Sequence, residues 1–330
     1  MLCTLFISCG KSFQKDDYGC FMNYDDAVSY ATSKKLPVLV IFTSDGDDDA
    51  SSSLVSQVIK SAAFASEILP AYSVYHADFS GDFFAKTNVA DNATAKEVEL
   101  ANLYTNIIQT NYQYAMLFGV DTMPAVFLCT KEGYVITAID DEDSYESVQS
   151  FKAMLSEYSQ DLADFNEMVA QTKKGNAMAK VEAIDAIYRT NNPQYKSFLA
   201  PLAQQVIELD KNNKSGLLGK YIVSNADAQA LSAYSKGDVE TAVKYYLEAA
   251  DSEFVKAEDK QECVYTAAYL VAYSGSEDYE GILVYLKAAY EIAPESAKAN
   301  AIQEAINYFE LIVDNADDLS ALEDSQAMVE

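Results

Sequence analysis

Tryptophan is absent from this 330-residue chain, and histidine occurs once, at His76. The five cysteines, Cys3, Cys9, Cys20, Cys129 and Cys263, form no C-x-x-C and no Cys/His cluster with metal-ligand spacing, so neither a zinc site nor a dithiol centre is written in the sequence. Cations are scarce: 23 Lys and Arg stand against 51 Asp and Glu, a net charge of −28. Phosphate backbones need clustered Lys and Arg, which excludes nucleic acid as a partner, and an anionic membrane surface would repel such a chain. Gly and Pro are few, at 12 and 6, and half the residues are hydrophobic, which points to a globular, helix-rich chain with room for two cores. No run approaches the ~20 apolar residues needed to cross a bilayer. No G-x-S-x-G occurs, so a Ser/His/Asp hydrolase built on His76 has no nucleophile elbow.

What is there centres on residues 36–64, LPVLVIFTSDGDDDASSSLVSQVIKSAAF. The apolar, β-branched run from Val38 to Phe42 predicts a strand covered on both faces. A polar loop follows. Leu54, Val55, Val58 and Ile59 then have the spacing of one buried helical face, with Ser51, Ser52 and Ser53 as N-cap candidates. A first helix is expected over residues 24–36, with Lys34 and Lys35 favourable at its C-terminus. A second strand is expected over 72–79, then a polar insert from 80 to about 110 with a helix-like patch at 95–103. A strand opened by Pro124, a turn at Lys131-Glu132-Gly133, a returning strand over 134–139 and a closing helix over 145–158 complete this half.

Strand, tight loop and helix N-terminus, followed by Met123-Pro124 at the head of a later strand, resemble the thioredoxin-like family. The segment from Phe42 to Phe64 is similar to that family's FxxxxCxxC-helix-F pattern without a gap, and its two cysteine positions fall on Asp48 and Ser51. The usual Trp is missing as well. The resemblance implies a central mixed sheet flanked by helices and a cis-proline at Pro124. It also implies a peptide groove formed by Asp47, Asp48, Ser51, Met123 and Pro124. A thiolate with lowered pKa and a resolving cysteine are what that chemistry needs, and Asp48 and Ser51 supply neither. The catalytic set is therefore expected to be empty. An atypical thiol–disulfide oxidoreductase or chaperone-like protein using Cys20 or Cys129 is the competing reading, and a Cys20–Cys129 disulfide stays open at this point.

Residues 2–8, LCTLFIS, followed by Cys9-Gly10, resemble a bacterial lipobox of the relaxed spirochaete type. That implies lipidation at Cys9 and an extracytoplasmic, lipid-anchored protein of the bacterial cell envelope. It places a signal remnant and tether at 1–22 and the thioredoxin-like domain at 23–160.

From 161 to 313 strand signals vanish. Gly237, Ala242, Tyr246 and Ala249, and in a second block Tyr279, Ala289 and Pro294, resemble the second half of a tetratricopeptide repeat. There small residues let paired helices approach and aromatics fill the gaps. An all-α tetratricopeptide-like domain is expected over 161–313 and an acidic tail over 314–330. The tyrosines from Tyr265 to Tyr273, and Tyr245-Tyr246, are read as packing between helices. Asp45, Asp47 and Asp49 alternate as hard-cation ligands do, but the distal Glu of a calcium loop is missing; helix capping is the expected role of this acidic loop, and no metal or cofactor is expected. The function that remains is binding of another protein or peptide.

Overall fold

The structure, a computed structural model, describes residues 13–327, with side chains as far as 315. Cys9 and the lipobox-like stretch lie outside the described residues. The chain divides into two compact units, Met1–Glu167 and Met168–Glu330. The division falls inside a helix, a few residues beyond the boundary expected at 160.

The first unit is built on a mixed sheet of four strands: β1 (Val38–Thr43), β2 (Ser73–Asp78), β3 (Ala125–Cys129) and β4 (Val135–Ile139), in the order β2-β1-β3-β4. β1 runs parallel to β2 and antiparallel to β3, which is antiparallel to β4. All six residues of β1 are buried, because both faces of the sheet are covered. Leu39 and Ile41 face a core completed by Leu54, Val58, Phe64 and Phe151. Phe42 faces the other way, its ring 6.0 Å from Tyr75, 5.6 Å from Phe118 and 6.0 Å from Phe127.

Helix α1 (Tyr24–Lys34) is capped by Asn23, whose side chain accepts from the Asp26 N–H, and Tyr24 donates its hydroxyl to the Gly133 carbonyl at 2.8 Å. Helix α2 (Asp49–Ser53) runs into a π-helical stretch, Leu54–Ile59, in which Leu54, Val55, Val58 and Ile59 are all buried. Its N-cap is Asp48 rather than any of Ser51 to Ser53. After α3 (Gly81–Ala85), the polar insert is largely one 24-residue helix, α4 (Ala95–Phe118). Thr94 and Glu97 form a capping box at its start, and Gly119 closes it in the left-handed conformation. The insert is thus a long packed helix, where the sequence suggested only a patch. α5 (Val148–Glu157) buries Val148, Phe151, Met154 and Leu155, and α6 is Ser159–Gln171.

The second unit is all helical among the described residues: α7 (Ala177–Thr190), α8 (Ala200–Leu209), α9 (Leu218–Tyr234), α10 (Val239–Asp251), α11 (Ala257–Tyr273), α12 (Tyr279–Ile292) and α13 (Ala299–Ala327). From α8 onward each helix packs chiefly on its sequence neighbours. Two hairpins repeat one design. α9 and α11 each have 17 residues, and α10 and α12 have 13 and 14. Each hairpin turns through a left-handed glycine, Gly237 or Gly275, into an aspartate N-cap, Asp238 or Asp278. The backbone of the expected acidic tail continues α13 as far as Ala327.

Gly219 in α9 is fixed by space: a Cβ there would lie 2.1 Å from the Phe254 carbonyl oxygen. At Gly281 the clash would be with the Asp278 side chain, at 2.3 Å, which can swing away. Gly219→Ala is therefore expected to destabilise the protein by about 1–3 kcal/mol through overpacking against rigid backbone, and Gly281→Ala by less. Urea unfolding of the two variants checks the order; equal losses would contradict it.

Candidate functional site

The loop that leaves β1 closes on itself. Asp48 accepts from the Ser51 N–H at 2.5 Å and from the Ser44 hydroxyl at 2.7 Å. The Ser44 N–H reaches the Ser51 hydroxyl at 3.1 Å, and the Gly46 N–H reaches that of Ser52 at 3.0 Å. Burial pushes the Asp48 carboxyl up, but the hydrogen bonds from Ser51, Ser44 and Ala50 outweigh it and hold it below its ordinary value. Asp45 pairs with Lys60 at 3.1 Å. The three alternating carboxylates do not converge on a common point, and no cluster able to hold a metal ion occurs among the described residues.

Ala125 lies opposite Phe42 in the register of β3 against β1. This sets Pro124 level with Thr43, beside the loop. The Met123–Pro124 peptide is cis. Met123, Pro124 and Asp48 are half-buried and Asp47 is exposed, whereas Ser51 has no exposed surface. Ser51 is therefore a hydrogen-bonding strut beneath the loop and offers nothing to a groove, which corrects its expected place in the groove's wall.

His76 sits on β2 between two partners. Its Nε2 is 2.9 Å from the Thr43 hydroxyl and its Nδ1 is 3.1 Å from Asp16. Asp16–His76–Thr43 has the connectivity of a nucleophilic relay, but Thr43 is fully buried and its hydroxyl cannot meet a substrate. A small polar hollow of about 230 Å³ reaches His76 and the carboxylates of Asp45, Asp78 and Asp82.

The thiols are sealed. Cys20 and Cys129 have no exposed surface and Cys263 has 1%; all three are free, so the Cys20–Cys129 disulfide is not formed. Burial raises the Cys20 and Cys129 thiols well above their ordinary value and pushes Cys263 up to about 12. None carries thiolate at neutral pH, and thiolate is the form that attacks disulfides.

A wider concavity than this hollow lies in the helical unit. It is a groove of about 560 Å³ among α11, α12 and α13. Tyr265, Tyr269 and Tyr273 stand one turn apart on α11, with ring centroids 4.8 and 5.6 Å apart, and the Tyr265 hydroxyl donates to that of Tyr269 at 3.2 Å. Tyr308 and Phe309 of α13 form the facing wall, and Ala268, Ala272, Ile282 and Leu286 lie at its floor. Tyr273 is 74% exposed and Tyr308 62%. Tyr245 and Tyr246 do pack between helices, but Tyr269 and Tyr273 do not, contrary to the packing role expected of them. A signal was present in the sequence. Val264, Ala267 and Ala268 already supply the buried stripe of α11, which leaves the tyrosines on a second face.

Compared with known proteins, residues 217–314 match a family described as "Uncharacterised protein C-terminal domain". The groove lies within that match. A protein of Treponema pallidum (strain Nichols) titled "Uncharacterized protein" is 26% identical over 192 residues, 57% of this chain and 63% of that protein. The chain thus spans under two thirds of the relative it matches. No solved structure matches.

With Cys3 and Cys9 replaced by serine, the remaining thiols are expected to resist a disulfide reagent in native buffer and to react at once in urea. Rapid native labelling of Cys20 or Cys129 would restore the redox reading.

Proposed function

We propose that this chain is a non-catalytic docking protein of the bacterial cell envelope. Its sheet domain is read as thioredoxin-like with the thiol chemistry lost, and its helical unit as an array of tetratricopeptide kind that carries the binding surface. The observation behind the docking role is the tyrosine-walled groove of α11, α12 and α13, because exposed aromatics gathered in a concavity mark interaction surfaces rather than stability. Support for the thioredoxin-like reading comes from the strand order β2-β1-β3-β4, with the Asp48-capped helix after β1 and Pro124 beside its loop. The anchor rests on Phe6-Ile7-Ser8-Cys9.

The test is site-specific photo-crosslinking in envelope extract. A benzophenone side chain at Tyr273 is expected to capture a partner, while one at Met123 is not. Capture at Met123 alone would move the binding site to the sheet domain, and capture at neither would remove the docking role. For the anchor, wild type is expected in the detergent phase and Cys9→Ser in the aqueous phase; both aqueous would end that proposal.

A further inference from the structure

The groove has a polarity that narrows what it can hold. No Lys or Arg lines it, and its one charged residue is Glu304, which makes no ion pair among the described residues. An acidic or phosphorylated peptide would find no counter-charge there. The walls are tyrosine faces, which attract cations through the ring quadrupole. The floor of Ala268, Ala272, Ile282 and Leu286 is apolar and suits the alkyl stem of a long cationic side chain.

Carboxylates continue beyond the Tyr265 end. Glu262, which is ion-paired with Lys298, lies close enough to influence both the Tyr265 hydroxyl and Asp227. The Asp227 carboxyl keeps surface open to water but is crowded from neighbouring helices. Burial pushes it up to about 6, against a hydrogen bond from Tyr246 and with reinforcement from Glu262. The whole chain, at −28, attracts a basic partner and repels a second copy of itself.

We propose that the groove docks a cationic segment of a partner protein, with Arg or Lys side chains laid against Tyr269, Tyr273 and Tyr308 and Glu304 as their counter-charge. This rests on the docking role proposed for the helical unit and names its ligand class.

Fluorescence anisotropy with the full chain tests it. The probes are a labelled peptide of alternating arginine and leucine, its citrulline counterpart, which keeps the shape without the charge, and its glutamate counterpart. The arginine peptide is expected to bind, more weakly as salt rises, and the other two are not. Tyr273→Leu and Tyr308→Leu keep charge and apolar area, and each should weaken binding about threefold to fivefold, the range of an exposed cation–π contact. Glu304→Gln should weaken it further, while Glu99→Gln in the sheet domain should not. Circular dichroism confirms that each variant folds. Arginine-peptide binding that ignores the groove variants would be diffuse attraction to an acidic protein and would overturn the proposal. Citrulline or glutamate peptide bound and then lost in those variants would overturn the charge assignment while leaving docking intact. A dimer in sedimentation, broken by Tyr308→Leu, would make a second copy the occupant and refute the cationic segment.

Discussion

A strand covered on both faces has nowhere to leave a polar group unpaired, and β1 imposes that condition on the sheet domain. Its backbone groups are taken up by β2 and β3. Thr43, at its end, brings a hydroxyl into the interior; such a group costs about 1–3 kcal/mol if left without a partner. His76 meets it, and Asp16 meets His76. The arrangement that looks most like catalysis is thus what burial of β1 requires of its polar neighbours. The same condition explains Cys20 and Cys129. Both are fully buried in the domain and behave as small hydrophobes, not as reagents.

The helical unit answers to a different condition, the closeness of neighbouring helices. Alanines at 226, 230, 242 and 249 are buried where α9, α10 and α11 meet, and Gly219 lets α9 approach the Phe254 carbonyl. Where a helix end is buried, a side chain closes it. Gln261 donates to the carbonyls of Ala289 and Ala293, at 3.0 and 2.9 Å, and accepts from Ser296. The carboxylate of Asp210 does similar work before α9, accepting from the Lys214 and Ser215 N–H groups. The hairpins are longer than a 34-residue repeat allows, since α9 begins at Leu218 and α11 at Ala257. They place small residues at their crossings without that period.

Much of this was legible in the sequence because it follows from periodicity. The Val38–Phe42 run reflects a strand buried on both faces, and the 54/55/58/59 spacing reflects one buried helical face. What escaped depended on choices between neighbours. Asp48 caps α2 in preference to three adjacent serines because its carboxylate reaches both the Ser51 N–H and the Ser44 hydroxyl. That draws Ser51 under the loop and out of the expected groove. The polar insert, read with a helix-like patch at 95–103 only, hides a long helix because α4 buries only a narrow stripe, with Ile107, Ile108 and Phe118 among its few large buried residues. Tyr269 and Tyr273 were misjudged because spacing alone does not say which of two faces a neighbour covers.

That second face carries the functional argument. Single exposed apolar residues are ordinary on protein surfaces. A ladder of three tyrosines opposite two further aromatics is different, because folding gains little from rings as exposed as Tyr273 and Tyr308. Val264, Ala267 and Ala268 already bury one face of α11, while Tyr265 packs at the edge of the core and Tyr273 stands out in water. The floor points the same way. A larger residue at the half-buried Ala272 would narrow the slot. The chain instead keeps an open concavity with aromatic walls and a single unpaired carboxylate, an arrangement that favours recognition of a cation over compactness.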